Sequence, residues 1–244
     1  MGNTKIDYLD KCINIIVGCG NGCWYCWARN RYAPRFAHNC SKCGTFTPHF
    51  HEERLKLIDR IKKPSIVGLN FMGDTWDPNV KPEWRYKMFS KLLSKEEDKN
   101  DYIVLTKQPQ NIKGIELGPL SRWFLPGKLW VGVSIESIDH MDRWIALSQK
   151  EYIQHKIISF EPVLDIHPVT DIIKLFEKYS YPDWIIIGSL TKSDKNEMLK
   201  SRISAGVMIE FLKDAGIKIP IFVKDNCGIK NALKEYPESM KYKV

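Results

Sequence analysis

Apolar residues along this chain gather in short runs, separated by stretches in which they recur every three or four positions. Seven runs rich in β-branched or aromatic side chains, each bounded by polar or turn residues, read as strands: residues 12–18, 65–72, 102–106, 129–134, 156–160, 184–188 and 219–223. Helical spacing predicts helices over residues 52–61, 82–93, 138–148, 170–179 and 201–215, the last stopped by Gly216 where a C-cap would sit. KEEDKN at 95–100 reads as a solvated helix end, and residues 110–126 carry no clear period. Strands alternating with helices imply parallel βαβ units, and near-continuous apolar strands such as IIVG and IIIG suit a sheet covered by helices. The expected fold is α/β, an open or partial (β/α) barrel of six to seven parallel strands in a single domain over residues 1–244. An irregular insert holding Cys40 and Cys43 interrupts it at about 37–48.

In parallel barrels the C-terminal strand ends build the active site. Here the expected strands run in turn into Cys19, Asp74, Thr106 and Lys107, Ser134 and Glu136, Ser159 and Glu161, Ser189, and Lys224 and Asp225. Any buried strand must surface at polar residues, so each end has a plain structural reading; repetition at every strand makes the set a candidate functional rim.

Composition narrows the setting. At 244 residues and 43% hydrophobic content the chain can bury one substantial core. No run approaches eighteen apolar residues and the start lacks the apolar stretch of a secretory signal, so the expectation is a soluble, cytoplasmic protein without a membrane partner. Seven cysteines, an odd number, in a reducing compartment favour metal or redox chemistry over a disulfide framework. Lys and Arg total 37 against 29 for Asp and Glu, and the net charge of +8 favours a polyanion such as DNA or RNA. The phosphate-binding, zinc-protease, serine-hydrolase and dinucleotide fingerprints are all missing.

The densest chemistry lies in VGCGNGCWYCWARN, where Cys19, Cys23 and Cys26 form C-x3-C-x2-C between the first strand and an expected helix at 27–32. Three thiolates on a tight loop suit an iron–sulfur cluster and leave one iron of a four-iron cube without a protein ligand. Zinc is the alternative; it normally takes four ligands, and Cys40-x2-Cys43 could complete the set. That pair lies close to His38, His49 and His51 and could equally form a second metal site, as a zinc clip with a histidine or as an auxiliary iron–sulfur cluster with Cys12 or Cys227.

The triple-cysteine motif with Tyr25 just before its last cysteine resembles the radical S-adenosylmethionine (SAM) signature. FHEERL at 50–55, NFMGDTWDP at 70–78, VLTKQP at 104–109, LWVGVSIES at 129–137, SFEPVL at 159–164 and WIIIGS at 184–189 resemble an uncharacterised, phage-associated radical-SAM-like family. More distantly, the pattern is similar to spore photoproduct lyase, which repairs DNA by radical chemistry. The resemblance implies a 4Fe-4S cluster whose open iron binds SAM, reductive cleavage to a 5′-deoxyadenosyl radical, and a reductant protein such as ferredoxin or flavodoxin. It places Asp74 near the SAM amino group, where the family more often carries Gly-Gly-Glu, Lys107 near the carboxylate, Ser134 and Glu136 near the ribose, and Tyr25 near the adenine. The Cys40/Cys43 insert is a departure from that family.

Cys227, after the last strand, would by analogy with the lyases donate a hydrogen atom to a substrate radical, although a lone cysteine is more commonly a small buried residue. Trp24, Trp27, Trp76 and Trp84 could stack on bases, and RNRYAPR at 29–35 could grip phosphates; core packing and a solvated helix face are the plainer readings. Three functions therefore compete: a radical-SAM enzyme acting on a nucleic acid or nucleobase, the same chemistry on a peptide or small metabolite, and a non-enzymatic zinc protein that binds nucleic acid.

Overall fold

The computed structural model describes residues 4–94, 99–113, 129–191 and 193–243. Residues 95–98 of the expected solvated helix end, and most of 110–126, lie outside that set, while Asn100 at the end of the former is buried. The structure is mixed α/β, with a seven-stranded sheet in the hydrogen-bonded order β1-β4-β5-β6-β7-β8-β9: Lys11–Ile13, Ile66–Leu69, Asp101–Thr106, Leu129–Ser134, His155–Phe160, Trp184–Ile187 and Ile221–Val223. Two remaining strands, β2 (Ile16–Val17) and β3 (His49–Phe50), form a separate antiparallel pair. The chain divides into two compact units, Met1–Val131 with Tyr152–Gln154 and Gly132–Glu151 with His155–Val244.

In the first unit β1, β4 and β5 pair in parallel, with Cys12 opposite Gly68 and Gly68 opposite Ile103. Ile13, Ile66, Val67, Leu69, Ile103 and Val104 are buried, which accounts for the unbroken apolar runs. The single strand expected over residues 12–18 is in fact two. Asn70, buried with φ of 61°, accepts the amides of Ile15 (3.0 Å) and Ile16 (2.9 Å) on Oδ1, while Asn14 Oδ1 accepts the amide of Met72 (2.8 Å). These side chains take over the ladder's hydrogen bonds, so the chain leaves β1 at Asn14 and re-pairs through Ile16 and Val17 with Phe50 and His49.

Among the described residues the α-helices of this unit are α1 (Ala33–Phe36), α2 (Ser41–Gly44), α3 (Lys56–Asp59) and α4 (Pro82–Leu93). Pro82 starts α4 where its missing N–H leaves no bond unmade, and Met88, Phe89 and Leu92 face the core. The helix expected over 52–61 is instead a tight turn, Glu52–Arg54, followed by α3. That turn aims the Arg54 guanidinium back onto the Asn14 carbonyl at 2.6 Å.

In the second unit β7, β8 and β9 pair in parallel, with Ile158 opposite Ile185 and Ile185 opposite Ile221. Helices α5 (Asp142–Ser148), α6 (Val169–Tyr179) and α7 (Lys195–Asp214) bury Trp144, Phe176 and Met208 respectively. Helix α7 begins six residues ahead of its expected start. Asp194 caps it, accepting from the amides of Asn196 and Glu197, whereas Leu199 and Ile203 on its early turns are exposed and disguise the apolar period. Among the described residues no helix is long and apolar enough to cross a membrane.

Candidate functional site

Cys19, Cys23 and Cys26 lie on the loop that leaves β2, and all three thiols are partly exposed. The root of the loop is fixed by a close backbone approach. Gly18, with φ of +92°, bridges Gly73, and a Cβ at Gly18 would stand 2.4 Å from the Thr47 carbonyl carbon. Beyond the root, the sulfurs of Cys19 and Cys26 accept the amides of Asn21 and Arg29, both at 3.3 Å. Arg29 also donates to the Cys19 carbonyl (2.6 Å) and lies over the Phe46 ring, so the first residue of the basic stretch serves the loop. The Ala28–Tyr32 segment, expected as a helix, forms a π-helical turn.

Two carboxylates from the segment after β4 hold this loop. Asp74 is 4% exposed and accepts four bonds: Thr106 Oγ1 (2.6 Å) and the Trp76 amide (3.0 Å) on Oδ1, the Lys107 amide (2.9 Å) and Asn21 Nδ2 (3.1 Å) on Oδ2. Asp77 accepts the Gly20 amide at 2.6 Å. Asn21 in turn accepts from the Gln108 amide group. Asp74 thus ties the cysteine loop to the end of β5. Burial raises its pKa, against the four hydrogen bonds that lower it. Burial also pushes the Cys19 thiol up to about 12, with the nearby charges of Asp74, Asp77 and Cys23 acting in the same direction. A metal arriving there must displace that proton.

Tyr25 and Lys107, separated by eighty-two positions, meet: Lys107 Nζ donates to the Tyr25 hydroxyl at 2.8 Å. Of the tryptophans singled out, Trp24 and Trp27 are 57% and 38% exposed beside the loop, whereas Trp76 is buried and Trp84 stacks on Phe50. Asp77, Asn21 and Gln108 are the functional residues the sequence reading passes over. The D-x-x-D spacing of Asp74 and Asp77 after a strand was the available signal.

The second unit carries the other expected positions. Glu136 is buried and paired with Arg143 at 2.7 Å, and Arg143 also donates to the Ser134 carbonyl at 2.8 Å. His140 Nδ1 lies 3.5 Å from the same carboxylate. Glu161 pairs with Lys224, and the buried Ser159 hydroxyl has no hydrogen-bond partner among the described residues. Cys227 is 3% exposed, its thiol directed at the Ile187 carbonyl 3.7 Å away, and burial raises its pKa.

Cys40 and Cys43 turn toward His49 and His51, and the four ligand atoms lie within 4.8 Å of one another. Cys43 Sγ is 3.3 Å from the Nε2 of each histidine, Cys40 Sγ is 3.5 Å from His49 Nε2, and the two Nε2 atoms are 2.8 Å apart. His38 is exposed and outside this group. The set therefore extends three residues beyond the insert expected at 37–48. Burial lowers the His51 pKa and so favours the neutral imidazole a metal requires.

No curated protein and no solved structure matches the chain. The family model described as "Protein of unknown function (DUF5131)" matches residues 3–204, well over half of the sequence, and the chain belongs to that family.

Proposed function

We propose that this chain is a radical-SAM enzyme, with a 4Fe-4S cluster on Cys19, Cys23 and Cys26, SAM on the open iron, and a nucleic acid or nucleobase as substrate. The parallel sheet, in this reading, is a partial (β/α) barrel of radical-SAM type. The supporting observation is how the cysteines are distributed. Three partly exposed thiols share one clamped loop, while Cys40 and Cys43 face two histidines. A pooled zinc site, the basis of the non-enzymatic alternative, would need those two thiols at the first loop.

The donor set fits the group: three soft ligands, two of them already accepting backbone N–H bonds, would hold three irons and leave the fourth for SAM. Such a centre would supply reductive cleavage of the sulfonium to a carbon radical that takes a hydrogen atom from the substrate. The chain's own contributions are positioning and charge. Asp74 and Asp77 hold the loop from beneath, Lys107 offers an ammonium to a carboxylate, and the Tyr25 ring offers an apolar face to adenine. Exposed Trp24 and Trp27, with exposed Arg31 and Arg35 on the next turns, favour a nucleobase and its phosphates over a peptide.

Anaerobic reconstitution with iron and sulfide, reduction, and electron paramagnetic resonance with and without SAM tests the proposal. The expected result is a reduced-cluster signal that shifts on adding SAM, and loss of both the signal and SAM cleavage in Cys23→Ala. SAM cleavage surviving in that variant, or a colourless protein after reconstitution, would overturn it.

A further inference from the structure

We propose that Cys40, Cys43, His49 and His51 form a closed zinc site whose role is to hold up the Cys19–Cys26 loop. The site's own chemistry is independent of what that loop binds.

The argument starts from the histidine protons. His49 Nδ1 lies 2.7 Å from the Thr47 carbonyl oxygen, and His51 Nδ1 lies 2.9 Å from a Glu53 carboxylate oxygen. Both partners are acceptors, so both Nδ1 atoms must carry hydrogen. In the neutral rings each Nε2 is then a bare lone pair. These two lone pairs meet across 2.8 Å with no hydrogen on either nitrogen, a contact that is repulsive unless a cation stands between them. A ring fixed by an oxygen acceptor on its far nitrogen is also the usual outer support of a histidine ligand to a metal.

Distances identify the ion. With zinc–sulfur bonds of about 2.3 Å and zinc–nitrogen bonds of about 2.0–2.1 Å, tetrahedral geometry sets sulfur and nitrogen ligands about 3.5 Å apart. Three of the four S···N separations are 3.3, 3.3 and 3.5 Å, and the fourth lies within 4.8 Å. The histidine nitrogens need to open by about half an ångström to reach the same geometry. A two-iron cluster with histidines on one iron and cysteines on the other would keep the two ligand types apart, whereas Cys43 Sγ touches both imidazoles. Two thiolates and two imidazoles around one centre suit zinc, and four protein ligands leave no open position for catalysis.

Local structure explains how the ligands converge. Cys40 caps α2, its sulfur accepting the Cys43 amide at 3.4 Å, so C-x2-C forms one turn. His49 and His51 are two residues apart at β3, which puts them on one face. Between Cys43 and His49 the chain passes through Phe46 in the left-handed region, φ 56°. The Phe46 amide donates to the Cys43 carbonyl (3.1 Å), and its own carbonyl accepts the Cys19 amide (3.3 Å). Phe46 packs with Ala28, Ala33, Cys19 and Cys26. The zinc site is thus two hydrogen bonds from the first cluster ligand.

The test is metal analysis of the full chain purified with zinc and exhaustively dialysed, together with cobalt titration of the zinc-stripped wild-type protein. One zinc per chain is expected, and cobalt should give the intense visible bands of a tetrahedral thiolate–imidazole site. Cys43→Ser and His51→Ala should each weaken zinc retention at least tenfold, and Glu53→Ala should weaken it about tenfold through loss of ring support. Cys23→Ala should keep its zinc although it loses iron, which separates failure of this proposal from failure of the cluster assignment. A folded wild-type chain that takes up neither zinc nor cobalt would show that a shared proton joins the histidines and would overturn the proposal. So would zinc that survives Cys43→Ser but is lost in Cys23→Ala.

Discussion

Asp74→Asn changes almost nothing in shape but turns one acceptor oxygen into a donor. Each Asp74 oxygen accepts one backbone amide, Trp76 on Oδ1 at 3.0 Å and Lys107 on Oδ2 at 2.9 Å. Whichever way the new amide faces, one of those N–H groups meets an N–H. A buried donor left unsatisfied costs about 1–3 kcal/mol. Removing a buried charge returns part of this, because burial is what raises the Asp74 pKa. The net loss should be near 1 kcal/mol, or about 2–4 °C in melting temperature for a chain of this size. The sign of the pH effect follows. A carboxyl with a raised folded-state pKa contributes stability that is fully present below its ordinary value of 3.8 and is lost as pH rises through the raised value. The stability gap between wild type and Asp74→Asn should therefore narrow with rising pH across that window. Parallel thermal or urea unfolding of both proteins at a series of pH values measures it. Because Asn21 in the cysteine loop shares the same carboxylate, iron retention after reconstitution should fall as well. Equal stability at every pH, with iron content unchanged, would refute the claim that Asp74 clamps the loop.

Asn70→Ala strips the acceptor from two buried amides, Ile15 and Ile16, and should cost about 2–6 kcal/mol by urea unfolding; a loss below 1 kcal/mol would mean the strand break has another cause. Gly18→Ala must displace the Thr47 backbone and adopt a disfavoured φ, so at least about 2 kcal/mol of destabilisation and reduced cluster loading are expected, read by melting temperature and iron content. Trp24→Ala and Trp27→Ala should each weaken single-stranded DNA or RNA binding by about 1–3 kcal/mol in fluorescence titrations, with affinity falling steeply as salt rises. Undiminished binding in both variants would remove the stacking argument for a nucleobase substrate.

The strands were legible because burial on both faces leaves a local mark, an apolar run of the right length; Leu129–Ser134 is found at its expected bounds. The division of the first run was not, since it depends on Asn70 reaching back fifty-five positions to the Ile15 amide. The early start of α7 was hidden by exposed Leu199 and Ile203, although Asp194 followed three residues later by Glu197 marked a cap. At the site, cysteine spacing exposed the loop and the second pair, and the histidine partners lay just beyond the boundary drawn for the insert. Asp74 and Glu136 stood out as polar strand ends. What each carboxylate faces depends on Asn21, Thr106 and Arg143, whose approach is a property of tertiary packing that no local pattern encodes.

The two cysteine groups also differ in how far along the chain their supports are drawn from. The sulfur–imidazole contacts among Cys40, Cys43, His49 and His51 span six to nine positions. The anchors of the Cys19 loop come from Asp74 and Asp77, fifty-three and fifty-seven positions away. Short loops close quickly and long ones late, because closure entropy must be met before distant contacts form. With both proposed metal sites in place, maturation would have a direction: the short-range group could organise on a nascent segment, while the three cysteines would gain their geometry only after β4 and β5 have docked. Zinc supply during synthesis and iron–sulfur delivery afterwards would act on the same molecule at different stages, and starvation for zinc should lower iron loading even with the iron ligands intact.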